Sequence, residues 1–189
     1  MRAKSALLYV VPLLFLLVGC ATPRVSRSWQ GKEMPIERAL KQILRDSHQR
    51  VSVAILGTVD TPYSKAAFAA IGIDLDEWKR SIYMQVTGSI EQLCTDAGRD
   101  YKNFKVVDRN YTQALLAEQK FSLSGAVTPE TSTQLGKMLG VTHLIIFHFL
   151  RNPAERSFSR QGFMDTYVSE LVDAETGEVL ASQTVTYRK

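Results

Sequence analysis

Cys20 is the residue whose surroundings most directly specify a chemistry. It closes the run Leu17-Val18-Gly19-Cys20, preceded by an apolar stretch from Ala6 to Val18 broken only by Pro12, and by Arg2 and Lys4. A basic start, a short apolar run and a small residue before cysteine form a lipobox, where a bacterial signal peptide is cut and the thiol acylated. The run is short of the ~20 apolar residues that a membrane-spanning helix needs. An uncleaved anchor, or an ordinary signal peptide with a chance cysteine, is the alternative. Cys20 is thus the expected lipid-attachment residue. Ala21 follows it rather than Asp, which by the lipoprotein sorting pattern favours the outer membrane.

The remaining reactive side chains do not assemble into a site. His143 and His148 lie five residues apart on one apolar run, so strand alternation sends them to opposite faces. They cannot share a metal. His48 ends a helical pattern, where a cation suits the dipole. Asp74, Asp76 and Glu77 cluster, but helix capping accounts for them, because no Gly-containing loop of oxygen ligands follows. No CxxC, HExxH, GxSxG or P-loop spacing occurs. Cys94 falls within a helical pattern and reads as a buried thiol, with an intermolecular bridge as the other option. The expectation is therefore no catalytic residue, no metal and no cofactor.

Composition points the same way. The chain has 23 Lys+Arg and 19 Asp+Glu, and losing Arg2 and Lys4 with residues 1–19 leaves 21 against 19, or +2. These charges are interspersed, so nothing marks a nucleic-acid partner. The organisation expected is a signal peptide over 1–19, a lipidated cysteine with a short tether over 20–34, and one domain over 35–189. Fourteen extended residues reach at most about 50 Å, which holds the domain close to its membrane.

The elements that would position any site follow from periodicity. Pro35 to His48 is helical, with Ile36, Leu40, Ile43 and Leu44 on one face. Val51 to Leu56 is a strand that Gly57 should end. Thr58 to Ile73 fits either a short helix over the sheet or a loop with a sticky surface. Asp74 to Ala97 is the longest helix: Leu75, Trp78, Ile82, Val86, Ile90, Leu93 and Ala97 recur at helical spacing, and Gly98 is the expected stop. Phe104 to Val107 is a strand. Asp108 then caps a helix running to about Lys120, with Tyr111, Leu115 and Leu116 inward. Thr128-Pro129-Glu130 opens another helix that Gly140 ends. Val141 to Leu150 is almost continuously apolar, as a strand covered on both faces is. Phe163 to Asp173 and Glu178 to Tyr187 are strands joined through DAETGE, with Gly177 available for positive φ. This order predicts a single α/β domain, a mixed β-sheet packed by helices.

A strand ending in VVDR, a helix with LLAEQK, then SG, LGKMLGV, a strand and VDAETGEVL make a recognisable set. The chain resembles the CsgG-like superfamily over roughly Pro35 to Val185, with Phe104–Val141 and Val172–Leu180 carrying most of the likeness. That superfamily includes curli export lipoproteins and lipoprotein activators of penicillin-binding proteins, and its fold resembles the amino-terminal domain of TolB. The resemblance implies a non-enzymatic accessory lipoprotein of the outer membrane, facing the periplasm. It would bind other envelope proteins during curli, flagellar or cell-wall assembly. The alternative it implies is a subunit of an oligomeric export assembly, which leaves homo-oligomerisation open. Curli-type exporters add long strands that close a barrel. Here only RNPAERSFSRQG separates Leu150 from Phe163, too little for a hairpin of two strands of about 9–11 residues each. The chain thus reads as a short member without the barrel-forming insertions.

If the function is contact, the surface must carry it. Tyr63, Phe68 and Ile71 in the ambiguous stretch, and Arg109 and Asn110 at a helix start, are the expected partner-binding residues.

Overall fold

The structure, a computed structural model, describes residues 34–61, 64–70, 72–118, 128–151 and 164–188. In chain order the elements are α1 (Pro35–Asp46), β1 (Val51–Asp60), α2 (Lys65–Ala69), α3 (Leu75–Gly98), β2 (Phe104–Val106), α4 (Arg109–Glu118), α5 (Pro129–Leu139), β3 (His143–Arg151), β4 (Met164–Asp173) and β5 (Val179–Arg188). The strands form one five-stranded sheet in the order β2-β1-β3-β4-β5. β1 runs parallel to β2 and β3, whereas β3, β4 and β5 are successively antiparallel. The chain is thus a mixed α/β domain with helices on both faces of its sheet.

Alternation along β1 and β3 divides the core. Val51, Val53, Ile55, Ile145, Phe147 and Phe149 face α1 and α3, meeting Ile36, Leu40 and Leu44 of the first and Ile82, Val86, Ile90 and Leu93 of the second. Ala54, Leu56 and Leu144 point the other way, against Leu135 and Leu139 of α5, with Leu115 and Leu116 of α4 at the margin. Burying a side chain of this size contributes about 1.5–3 kcal/mol, so two-sided coverage explains why the middle of β3, Leu144 to Phe147, is wholly apolar. Asp74 begins α3 by accepting the Glu77 N–H at 2.8 Å. Thr128 begins α5 by accepting the Thr131 N–H. Gly140 ends α5 at φ +64°, a left-handed conformation that costs glycine little.

Three features differ from expectation. β1 does not stop at Gly57 but continues to Asp60. The glycine accommodates the Phe147 ring from the next strand rather than breaking the element. α3, by contrast, ends at Gly98 as expected, and a Cβ there would enter the Phe104 ring. Tyr111 is 56% exposed rather than inward, and Thr112 takes the buried position on α4. Phe68 is not a surface residue: it is 3% exposed on α2, its ring 5.1 Å from Trp78, which in turn stands 6.0 Å from Phe149. The short helix α2 therefore seals the end of α3 instead of offering its phenylalanine to a partner.

Candidate functional site

At the end of the sheet where β3 begins and β4 ends, a reciprocal clasp joins β1 to β3. Thr142 Oγ1 accepts the Ser52 N–H at 2.9 Å and donates to Ser52 O at 3.0 Å, while the Thr142 N–H reaches Ser52 O at 3.1 Å. The same Oγ1 lies 2.9 Å from His143 Nδ1. A hydroxyl has one proton. With that proton on Ser52 O, His143 carries its N–H on Nδ1 and its lone pair on Nε2. Asp173 stands opposite His143 in the β3–β4 register. Its Oδ1 accepts the N–H groups of Glu175 and Thr176 at 2.8 and 2.9 Å, shaping the β4–β5 turn.

α1 crosses above this corner and leaves an open groove of about 510 Å³, lined by Gln42, Ile43, Asp46, His143, Asp173 and Leu180. Among the described residues the lining contains two carboxylates and an imidazole but no lysine or arginine. Leu180 is exposed at its lip, next to exposed Val179. Burial pushes the His143 imidazole below its ordinary value, with the Asp173 charge opposing the shift. Asp173 also lies below the usual carboxylate range: burial is the largest influence and raises it, but the Thr176 and Glu175 amides, the Thr176 hydroxyl and His143 together outweigh it. The groove thus offers acceptors and negative charge, and suits a cationic or hydrogen-bond-donating occupant.

The imidazole also couples the corner to pH. A folded-state value depressed below 6.5 means that His143 stabilises the fold as neutral imidazole above that pH, and this stability is lost as the pH falls through and below it. The Asp173 contribution lies lower, being lost only below about 3.8. Thermal unfolding should therefore show Tm falling between pH 7.5 and 5.5, and His143→Leu should flatten that part of the profile. An unchanged slope in the variant would assign the acid sensitivity to another group.

The remaining reactive groups have structural roles. Cys94 is fully buried in α3, and burial, with Glu91 second, pushes its thiol up to about 12, which suppresses the thiolate that reacts. His148 stands on the opposite face from His143, its Nδ1 2.7 Å from Thr58 Oγ1 and its Nε2 3.6 Å from Asp60. Among the described residues no group of three metal-ligating side chains converges.

The three described residues among those expected to contact a partner, Phe68, Arg109 and Asn110, are not brought together. Tyr63 and Ile71 lie outside the described residues. Phe68 is buried. Arg109 is half-buried and reaches Glu91 on α3 at 3.8 Å, while Asn110 is exposed and its N–H donates to Asp108 Oδ1. The groove draws instead on residues from α1, β3, β4 and β5. Nothing in their local sequence marks them apart from Asp173, which opens the turn DAETGE.

Comparison with known proteins gives one family match: the family described as curli production assembly/transport component CsgG, over residues 76–148. No curated protein matches the chain. Among solved structures, the chain is similar to the LpoB C-terminal domain from Salmonella enterica, at 10% identity and a TM-score of 0.45, covering 86% of this chain and 99% of that one. It is also similar to lipoprotein GNA1162 from Neisseria meningitidis, at 12% identity and a TM-score of 0.46, covering 74% of this chain and 81% of that one. The hypothetical protein CT253 from Chlamydia trachomatis follows at 15% identity and a TM-score of 0.37, covering 72% and 71% respectively.

Proposed function

We propose that the chain, matching the CsgG family over residues 76–148, is an accessory lipoprotein of the cell envelope that acts by binding another polypeptide. On this reading residues 1–19 are removed, Cys20 carries the lipid, residues 20–34 form the tether and residues 35–189 form the binding body. The body faces the periplasm from the outer membrane and serves envelope or appendage assembly. The observation that carries the binding role is the groove beneath α1, where Asp46 and Asp173 meet an exposed leucine with no lysine or arginine among the described lining residues. Asp173 is held by turn amides and His143 by Thr142. These fixed acceptors recognise a ligand rather than shuttle protons. The occupant that fits is a segment of a partner protein presenting Lys or Arg beside an apolar side chain.

A photo-crosslinking amino acid at Gln42, in cells, tests this. It should capture a defined polypeptide, and Asp46→Lys should reduce the yield by roughly tenfold or more, an affinity loss of about 1.4 kcal/mol or greater. Asp46 is exposed, so Tm should stay within a degree or two of wild type. Capture no different from that at exposed Thr95 on α3 would remove the groove from the account.

A further inference from the structure

We propose that the long edge of the sheet, strand β5, is an interface that pairs with β5 of a second copy of this chain. This stands independently of the groove and its occupant. Among the described residues the sheet has two edges, β2 and β5, and they are treated differently. β2 is three residues long with exposed Lys105 at its centre. Short length and a lysine are the usual means of keeping an edge from pairing. β5 has neither protection. From Ala181 to Arg188 it follows β4 in unbroken antiparallel register, and the one irregularity, at Leu171/Val172, lies at its start. It contains no proline, and its single charged residue, Arg188, is the last.

An edge of this kind presents alternate backbone N–H and C=O groups outward. α1 does not cover them. It lies over one face of the strand, where the Ile36 N–H reaches Gln183 Oε1 at 3.4 Å and Gln183 and Val185 are buried. Ser182 and Thr184 are exposed on the opposite face.

The strand's own composition indicates which partner fits. A two-fold axis perpendicular to the sheet brings the two β5 strands together antiparallel and keeps each residue on its own face. Centred on Thr184, the axis sets Ser182 opposite Thr186 and Gln183 opposite Val185. Thr184 then meets its own copy on the open face. Arg188 stands at opposite ends of the pair and never meets its own copy. Neither a basic nor an acidic strand would find a complementary charge along this edge, whereas an identical strand finds a matched neutral set. The product is a closed dimer with one continuous sheet and both α1–α3 layers on the same side, not an extending ring or fibre.

The full chain, extracted from membranes in detergent, should sediment as a dimer over a concentration series. Thr184 sits opposite itself, so Thr184→Lys and Thr184→Glu each place like charges on the axis. Each alone should weaken self-association by roughly tenfold or more. Mixing the two variants should restore the dimer, which a merely structural defect would not allow. In the dimer, the outward amides of Ala181–Arg188 should exchange slowly with solvent. A wild type that stays monomeric overturns the proposal, as does a dimer indifferent to Thr184→Lys. A monomer with protected β5 amides also overturns it, assigning the edge to residues 20–33 of the same chain or to an unrelated strand.

Discussion

Replacing Gly57 with alanine should destabilise the domain by about 1–3 kcal/mol, the usual cost of forcing extra volume into a packed core. The same substitution should cost almost nothing once Phe147 is alanine. Gly57 and Phe147 are directly opposed in the parallel β1–β3 register. A Cβ on Gly57 would overlap the Cγ, Cδ1 and Cε1 atoms of that ring. The ring cannot swing clear: it is 1% exposed, and Tyr83 of α3 stands 5.4 Å from its centre. Two effects of the substitution oppose each other. Alanine reduces the entropy of the unfolded chain relative to glycine, a gain of about 0.4–1 kcal/mol where the backbone permits it. The clash is larger and decides the sign. Phe147→Ala alone should cost about 3–5 kcal/mol through lost burial and the cavity left behind. In that background the Gly57 methyl enters the vacated space, so the double-mutant cycle should show a coupling of about 1–3 kcal/mol. Each kcal/mol moves Tm by roughly 2–4 °C in a domain of this size, so urea and thermal unfolding both resolve the cycle. Equal penalties for Gly57→Ala in the two backgrounds would falsify the packing account.

The same pair shows what the sequence could and could not convey. Helices announced themselves locally. Asp74 followed by Leu75, Trp78, Ile82 and Val86 specifies both the start and the buried face of α3, and capping and periodicity are short-range properties. The near-continuous apolar run of β3 likewise revealed a strand covered on two sides. Gly57 misled because a glycine after an apolar run reads as punctuation, whereas its cause is a phenylalanine ring ninety residues away. Phe68 misled in the opposite direction. An apolar stretch next to Pro62 fits either a short helix over the sheet or a sticky loop to which its phenylalanine would lend a contact, and only the position of Trp78 on α3 shows its ring to be enclosed. The groove is less legible still. Asp46 ends a helix, His143 opens a strand, Asp173 shapes a turn and Leu180 starts another strand. Each has an adequate local explanation, and only the closing of the sheet under α1 makes them neighbours. A surface built from single residues of four elements leaves no spacing to find.

Replacing residues 1–20 with an export signal that ordinary signal peptidase removes should move the protein almost completely from the membrane fraction to the soluble periplasmic fraction. This is the largest effect expected of any change to the chain. Each buried methylene contributes about 0.8 kcal/mol to membrane binding, so one acyl chain holds a protein marginally and several hold it in effect permanently. The body has little to substitute for them. Among the described residues no helix is long and apolar enough to cross a membrane. The apolar faces of α1 and α3 are spent on the sheet. With residues 1–19 removed as proposed, the excess of two positive charges, 21 Lys+Arg against 19 Asp+Glu, is small next to the polybasic clusters of four to eight residues that bind anionic surfaces. The native chain should correspondingly take up a fatty-acid label at Cys20, and the exchanged chain should not. Unfolding of the released body should match that of the anchored one, because among the described residues the buried core begins at Ile36, with Met34 packed against it, well after the exchanged segment. If the exchanged chain still sediments with membranes as wild type does, some face of the folded domain is binding lipid or a membrane partner, and the anchor at Cys20 is not what sets its location.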